Sequence, residues 1–208
     1  MLKLMKGRKS KAPDATRRKI LEAAFAEFYK NGFQGGSLNH IVKSAGTTKG
    51  ALFHHFSGGK QELGYAVVEE IIGPLLEQRW LDAVKDSNDP VSDLKKAFRH
   101  YVKTDIKSGS FLQGCPLNNV AQEMSPLDEG FRKRIDNLYA AWRRSYAAAL
   151  AEGMKAGKVK KDVVPQNVAA LVVAAQMGIW GTGKSSRSAE LMTQAGEAVC
   201  GYLDSLRP

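Results

Sequence analysis

The chain has 208 residues, 43% of them hydrophobic and 25% charged, enough to close a core in one large domain or two small ones. Its net charge of +10 is concentrated: residues 1–60 hold 12 Lys and Arg against Asp14, Glu22 and Glu27, while the rest is near neutral, so the N-terminal part is suited to a polyanion, nucleic acid or a membrane surface. No apolar run reaches about 18 residues, and the opening MLKLMKGRKSKAPD lacks the apolar stretch of a secretory signal, so a cytoplasmic protein without a membrane partner is expected.

From Asp14 the segment DATRRKILEAAFAEFYKNGF places Ile20, Leu21, Ala24, Phe25 and Phe28 on one helical face, and Asn31-Gly32 supplies a stop. Ser37 can cap a second helix with the stripe Leu38, Ile41, Val42 and Ala45, which Gly46 ends after about two turns. Thr47 or Thr48 can cap a third short helix through His54, and the three together form a helix-turn-helix arrangement. The next segment, GGKQELGYAVVEEIIGPLLEQRWLDAV, is helical by periodicity, with a bend expected at Gly73-Pro74. Further helices are predicted over 90 to 107, 116 to 124, 126 to 156, 165 to 181 and 188 to 206. No stretch sustains the period-two alternation of a strand, so the fold class is all-α.

The stretch TRRKILEAAFAEFYKNGFQGGSLNHIVKSAGTTKGALFHHF resembles the N-terminal domain of the TetR family of transcriptional regulators. The likeness lies in T-R-x-x-I-L-x-A-A, the G-F before the second helix, I-V-x-x-A-G at the turn and K-G-x-L-F-H-H-F. It implies a basic N-terminal arm over 1–13, a three-helix DNA-binding domain over 14–63, and a larger helical ligand-binding and dimerisation domain over 64–208. The residues themselves agree: Thr47, Thr48, Lys49, Gly50 and His54 fall on the free face of the third helix, while Leu52 and Phe56 can hold it to the core. The resemblance adds Ser37 and Lys60, where helix N-termini point at the DNA backbone. Two features depart from the family pattern. Phe53 stands where a tyrosine hydroxyl usually meets a phosphate, and FSGGKQEL carries one extra residue before Lys60.

The same resemblance implies a homodimer joined through its last two helices on a palindromic double-stranded operator. The small residues of AALVVAAQMGIWG and the apolar Leu191, Val199, Leu203 and Leu206 suit such an interface, or equally an internal core. In the intervening body Trp80, Tyr101, Phe111, Trp142 and Tyr146 are the candidate effector-binding residues, with the Trp142 and Tyr146 pair foremost, which implies a small hydrophobic or aromatic effector. Cys115, expected at a helix N-cap before Pro116, reads as a structural thiol or as a sensor of oxidants and electrophiles, since a helix N-terminus lowers a thiol pKa. The expectation is therefore a repressor released by an effector, or one acting through Cys115, rather than an enzyme. Two distant cysteines and four scattered histidines offer neither a metal nor a disulfide pattern, and no cofactor is implied.

One string points elsewhere. GIWGTGKS, Gly178 to Ser185, matches the phosphate-loop pattern of nucleotide hydrolases, but that loop needs a strand before it and a helix immediately after it. Here helical periodicity surrounds the string. Gly178 is expected to permit close helix approach, with Gly181, Thr182 and Gly183 turning the chain.

Overall fold

The structure, a computed structural model, describes residues 12–208, so most of the expected basic arm lies outside the described residues. Among the described residues, helices follow one another without a strand. The chain forms two compact units, one up to Gly73 together with Asn119–Arg134, the other Pro74–Asn118 together with Ile135–Pro208.

In the first unit, helix α1 (Ala12–Asn31) buries Ile20, Leu21 and Ala24 against α2 (Leu38–Ser44), α3 (Lys49–His55) and α4 (Gly59–Val67). Local chemistry sets each boundary. Ser37 Oγ accepts the His40 N–H at 3.4 Å to open α2. At the other end Gly46 takes φ +61°, its N–H bonds the Lys43 carbonyl, and the Thr47 N–H reaches the Val42 carbonyl at 3.1 Å. This is a left-handed cap that satisfies two orphan carbonyls, which is why a glycine stands in the turn. Of the two threonines that follow, Thr48 is the cap, accepting the Ala51 N–H at 3.1 Å. Gly64 on α4 is buried where a Cβ would come within 2.6 Å of both the Phe33 and Phe131 rings, so α4 can approach only as glycine.

Beyond Val67 the helix continues but leaves the α register. Val68–Ile72 and Glu77–Leu81 are π-helical, on either side of the short α5 (Gly73–Leu76). The Gly73 N–H bonds the carbonyl of Val68, and the Asp82 N–H that of Glu77 at 3.0 Å, both five residues back. Pro74 has no N–H to give and its ring crowds the carbonyl four residues earlier, and wider turns on both sides accommodate it. The expected interruption is thus a change of register flanking the proline.

In the second unit α6 (Pro90–Ser108) is capped by Asp89, which accepts the Ser92 N–H at 3.1 Å, and is closed by Gly109 at φ +75°. A 3-10 turn (Ser110–Gln113) precedes α7 (Pro116–Met124) and α8 (Glu129–Lys155), which between them contribute Asn119–Arg134 to the first unit. Helices α9 (Pro165–Ser186) and α10 (Ala189–Asp204) follow, with α10 packed on both α6 and α9. Phe98, Trp142, Tyr146, Leu150 and Val172 fill the core. α8 starts three residues later than the predicted 126, because Asp128 accepts the Phe131 N–H at 2.8 Å and caps it there. α9 outruns its predicted end at 181. It stops at Ser186, with Arg187 at φ +54° returning its N–H to the Gly183 carbonyl at 3.0 Å.

Candidate DNA-reading face and effector core

The third helix owes its orientation to Leu52 and Phe56, each 1% exposed, which pin one side of a seven-residue element to the unit's core. Its other side carries Thr48, Lys49, Gly50 and His54, all exposed, with Thr47 half-buried at the turn. A groove of about 160 Å³ between α2 and α3 is lined by Ser37, Asn39, Val42, Lys49 and Phe53, so the N-terminus of α2 and the face of α3 meet along one surface. Phe53 contributes an exposed ring.

Two carboxylates missed in the sequence hold this surface in place. Glu27 accepts the Ser37 N–H at 3.0 Å and lies 3.6 Å from His40 Nδ1; that backbone bond is the main reason its carboxyl is held below the usual range. Glu123 accepts the N–H groups of Phe33 and Gln34, both at 2.8 Å, and so fixes the turn between α1 and α2 from the far side of the sequence. Lys60 faces the same turn: its Nζ donates to the Gln34 carbonyl at 2.9 Å and sits 5.1 Å from the centre of the Phe33 ring.

In the second unit the predicted effector residues do converge in part. The Trp80 ring lies 5.0 Å from Tyr101, 5.5 Å from Phe98, 5.4 Å from Trp180 and 6.1 Å from Trp142, and Trp142 in turn lies 6.3 Å from Tyr146. Phe111 is buried on the 3-10 turn, which packs on α9. Polar groups absent from the sequence prediction complete the cluster. Asp105, 5% exposed, pairs with Arg79 and accepts Trp180 Nε1–H at 2.6 Å and Ser110 Oγ–H at 3.0 Å. Gln176, fully buried, donates to the Tyr146 hydroxyl at 3.1 Å but leaves its Oε1 without a partner. Burial pushes the Tyr146 and Tyr101 phenols above their ordinary pKa.

Cys115 does sit next to the start of α7, but the expected lowering of its pKa does not follow. The thiol is 7% exposed; burial pushes its pKa up, and the backbone N–H groups of Asn118 and Leu117 only partly offset that. Cys200 is also buried and raised, consistent with packing.

The string GIWGTGKS lies wholly inside α9. Its backbone N–H groups are spent on helical bonds, with the Thr182 hydroxyl bonded to the Gly178 carbonyl at 2.7 Å, and none can cradle a phosphate. Two expectations are corrected here. Gly181 to Gly183 do not turn the chain, because Ile179, Trp180 and Gly183 are buried and that packing outweighs glycine's poor helix propensity. Gly178 is exposed with open space where a Cβ would stand, so it mediates no close approach within the chain. Trp180 packs in the core, and Lys184 lies in the helix's last turn.

Among the described residues no helix is long and apolar enough to cross a membrane, and no cluster of His, Cys, Asp or Glu could hold a metal ion. Comparison with known proteins agrees with this architecture. Residues 20–67 match the family "Bacterial regulatory proteins, tetR family", and residues 90–199 match "Tetracyclin repressor-like, C-terminal domain". The transcriptional regulator LmrA of Bacillus subtilis is 31% identical over 66% of this chain and 72% of its own length. The transcriptional repressor DhaR of a Mycobacterium species is 26% identical over 86% and 87%. A TetR-family regulator from Cytophaga hutchinsonii superposes with a TM-score of 0.83 at 19% identity, covering 96% of this chain and 98% of that one. With its N-terminal part and its C-terminal part each matched by a family model, and LmrA 31% identical over 72% of its length, the chain belongs to the TetR family of DNA-binding transcriptional regulators.

Proposed function

We propose that the protein is a homodimeric repressor that leaves a palindromic operator when a small hydrophobic or aromatic effector binds its body. Residues 14–63 would read DNA, and 64–208 would hold the effector and the partner subunit. The observation that carries the reading is the exposed face of α3, where Thr48, Lys49, Gly50 and His54 stand free of the core directly after the Gly46 turn. Thr47 and the α2 N-terminus at Ser37 flank it, suited to phosphate contacts. Lys60 joins them only by giving up the Gln34 carbonyl. Repression is the sense supported by the similarity to DhaR. A dimer is supported by apolar surface on α9 and α10, where Leu171 and Leu191 are exposed, as are Ala170, Ala174 and Gly178.

The effector would act through the first of the three helical segments that cross between the units. The chain passes from one to the other at Gly73-Pro74, between the two π-helical segments, so an effector that favours one register there would shift the pose of the reading helices.

A mobility-shift titration on DNA from upstream of the protein's own gene tests the proposal. Binding should fall steeply with salt, and Lys49→Ala should lower affinity and flatten the salt slope by about one counterion. Binding indifferent to salt and to Lys49 would remove the assignment of α3 as the reading helix.

A further inference from the structure

We propose that Trp80, Tyr101, Trp180 and Asp105 form a binding site for an organic cation, and that the Arg79 guanidinium is its resident plug. The inference rests on the proposal that an effector binds the body, and it names the chemistry of that effector.

The cage is already built around a cation. The Arg79 guanidinium carbon lies 4.4 Å from the Tyr101 ring centre, 5.3 Å from Trp180 and 5.4 Å from Trp80, and its Nη2 pairs with Asp105. Several ring faces and one buried carboxylate are the elements that recognise ammonium and guanidinium head groups. The carboxylate does not depend on Arg79 for its position, because Trp180 Nε1–H at 2.6 Å and Ser110 Oγ–H at 3.0 Å hold it as well. It would keep its place if Arg79 left.

Arg79 is a poorly satisfied occupant. Its Nε is buried without a hydrogen-bond partner, and its side chain is 21% exposed against 8% for Asp105, so the cage is open on the arginine's side. Arg79 also lies on the π-helical Glu77–Leu81, a register frequent at functional sites. The sign of the ligand follows from what displacement leaves behind. A neutral or anionic molecule in place of Arg79 would strand the charge of Asp105 in the interior, whereas a cation replaces the pair. One turn before Trp180 on α9, Gln176 Oε1 is a buried acceptor without a partner, which a donor on the same ligand could satisfy.

Binding of benzyltrimethylammonium to the full-length protein, followed by tryptophan fluorescence, tests this against neopentylbenzene, the neutral carbon isostere. The wild type should bind the cation and not the isostere. Arg79→Ala, which removes the internal competitor, should bind it about tenfold more tightly. Millimolar guanidinium, unlike equimolar sodium, should raise the melting temperature of Arg79→Ala, and adding Asp105→Asn should abolish both effects. Where Arg79→Ala does not fold, Arg79→Lys should still bind the cation more tightly than the wild type, because its compact ammonium covers less of the rings. Equal binding of the isostere, or no gain on removing Arg79, overturns the cation site. Operator release by neutral aromatic compounds alone overturns it too while sparing the effector proposal, which itself fails if no small molecule of either kind releases the operator.

Discussion

Phe53 presents 47% of its surface at the position where the family resemblance implies a phenol. Giving the ring back its hydroxyl should add one phosphate hydrogen bond: Phe53→Tyr should tighten operator binding by about 1 kcal/mol, roughly fivefold, in a mobility shift, while Phe53→Leu should not. Cys115 yields the opposite kind of expectation. Burial raises the folded thiol's pKa above its ordinary value of 9.0, so the thiolate that reacts is scarce at pH 7 and grows only as pH rises past the usual thiol range. Iodoacetamide should therefore modify native Cys115 far more slowly than the unfolded chain at pH 7 to 8. Native and unfolded rates that agree would favour the sensor reading of Cys115 over the structural one. The same scale shows what could be read from sequence. Asp105 continues the apolar stripe Phe98, Tyr101, Val102, and Gln176 that of Val172 and Val173, so each was visible as a polar residue on a buried face. Arg79 gave no such sign, since its partners lie 26 residues on at Asp105 and further still at Trp180.

Helix ends were legible where a local bond decides them and illegible where packing does. Ser37, Gly46 and Thr48 act within four residues of themselves, and their caps stand where sequence places them. The end of α9 did not follow its glycines, because the buried side of Ile179, Trp180 and Gly183 carries the helix on to Ser186. Pro74 lies between these cases. Its break was legible, but the two π-helical segments around it depend on what the flanking residues pack against. Alanine there would restore an N–H and allow an uninterrupted α register from Gly59 onward. Pro74→Ala should accordingly change induction in a reporter strain more than operator affinity in a mobility shift, since Lys60, the one residue of this helix assigned to the reading face, lies at its start, far along the chain from the proline. An equal loss of both would mean that the segment only supports the fold.

At the scale of the whole molecule, charge and apolar surface are divided. The first 60 residues carry 12 of the 31 basic side chains and only three acidic ones, so they can supply the salt-dependent attraction to DNA, whereas the rest is close to neutral and free to associate with itself. Within that remainder the expected interface residues separate on inspection of burial. Leu203 and Leu206 are 0% and 6% exposed and belong to the chain's own core, while Leu171 and Leu191 stay 51% and 39% exposed. Leu171 flanks a row of α9 residues one helical turn apart, Ala170, Ala174 and Gly178, and all four are exposed. For a second copy that covers this row, Gly178, which has open space at its Cβ position, would lie within the contact. Leu171→Glu would place an unpaired charge on each side of a two-fold contact, where it meets its own symmetry mate or its neighbours in a desolvated surface. The variant should elute with the mass of one 22.7 kDa chain instead of two when light scattering is measured at micromolar concentration. Its operator affinity should fall by more than tenfold, because a lone reading helix contacts a single half-site. Circular dichroism should be unchanged, since Leu171 is 51% exposed and lies outside the core. A dimer of undiminished affinity in this variant would place the interface on another face of the chain.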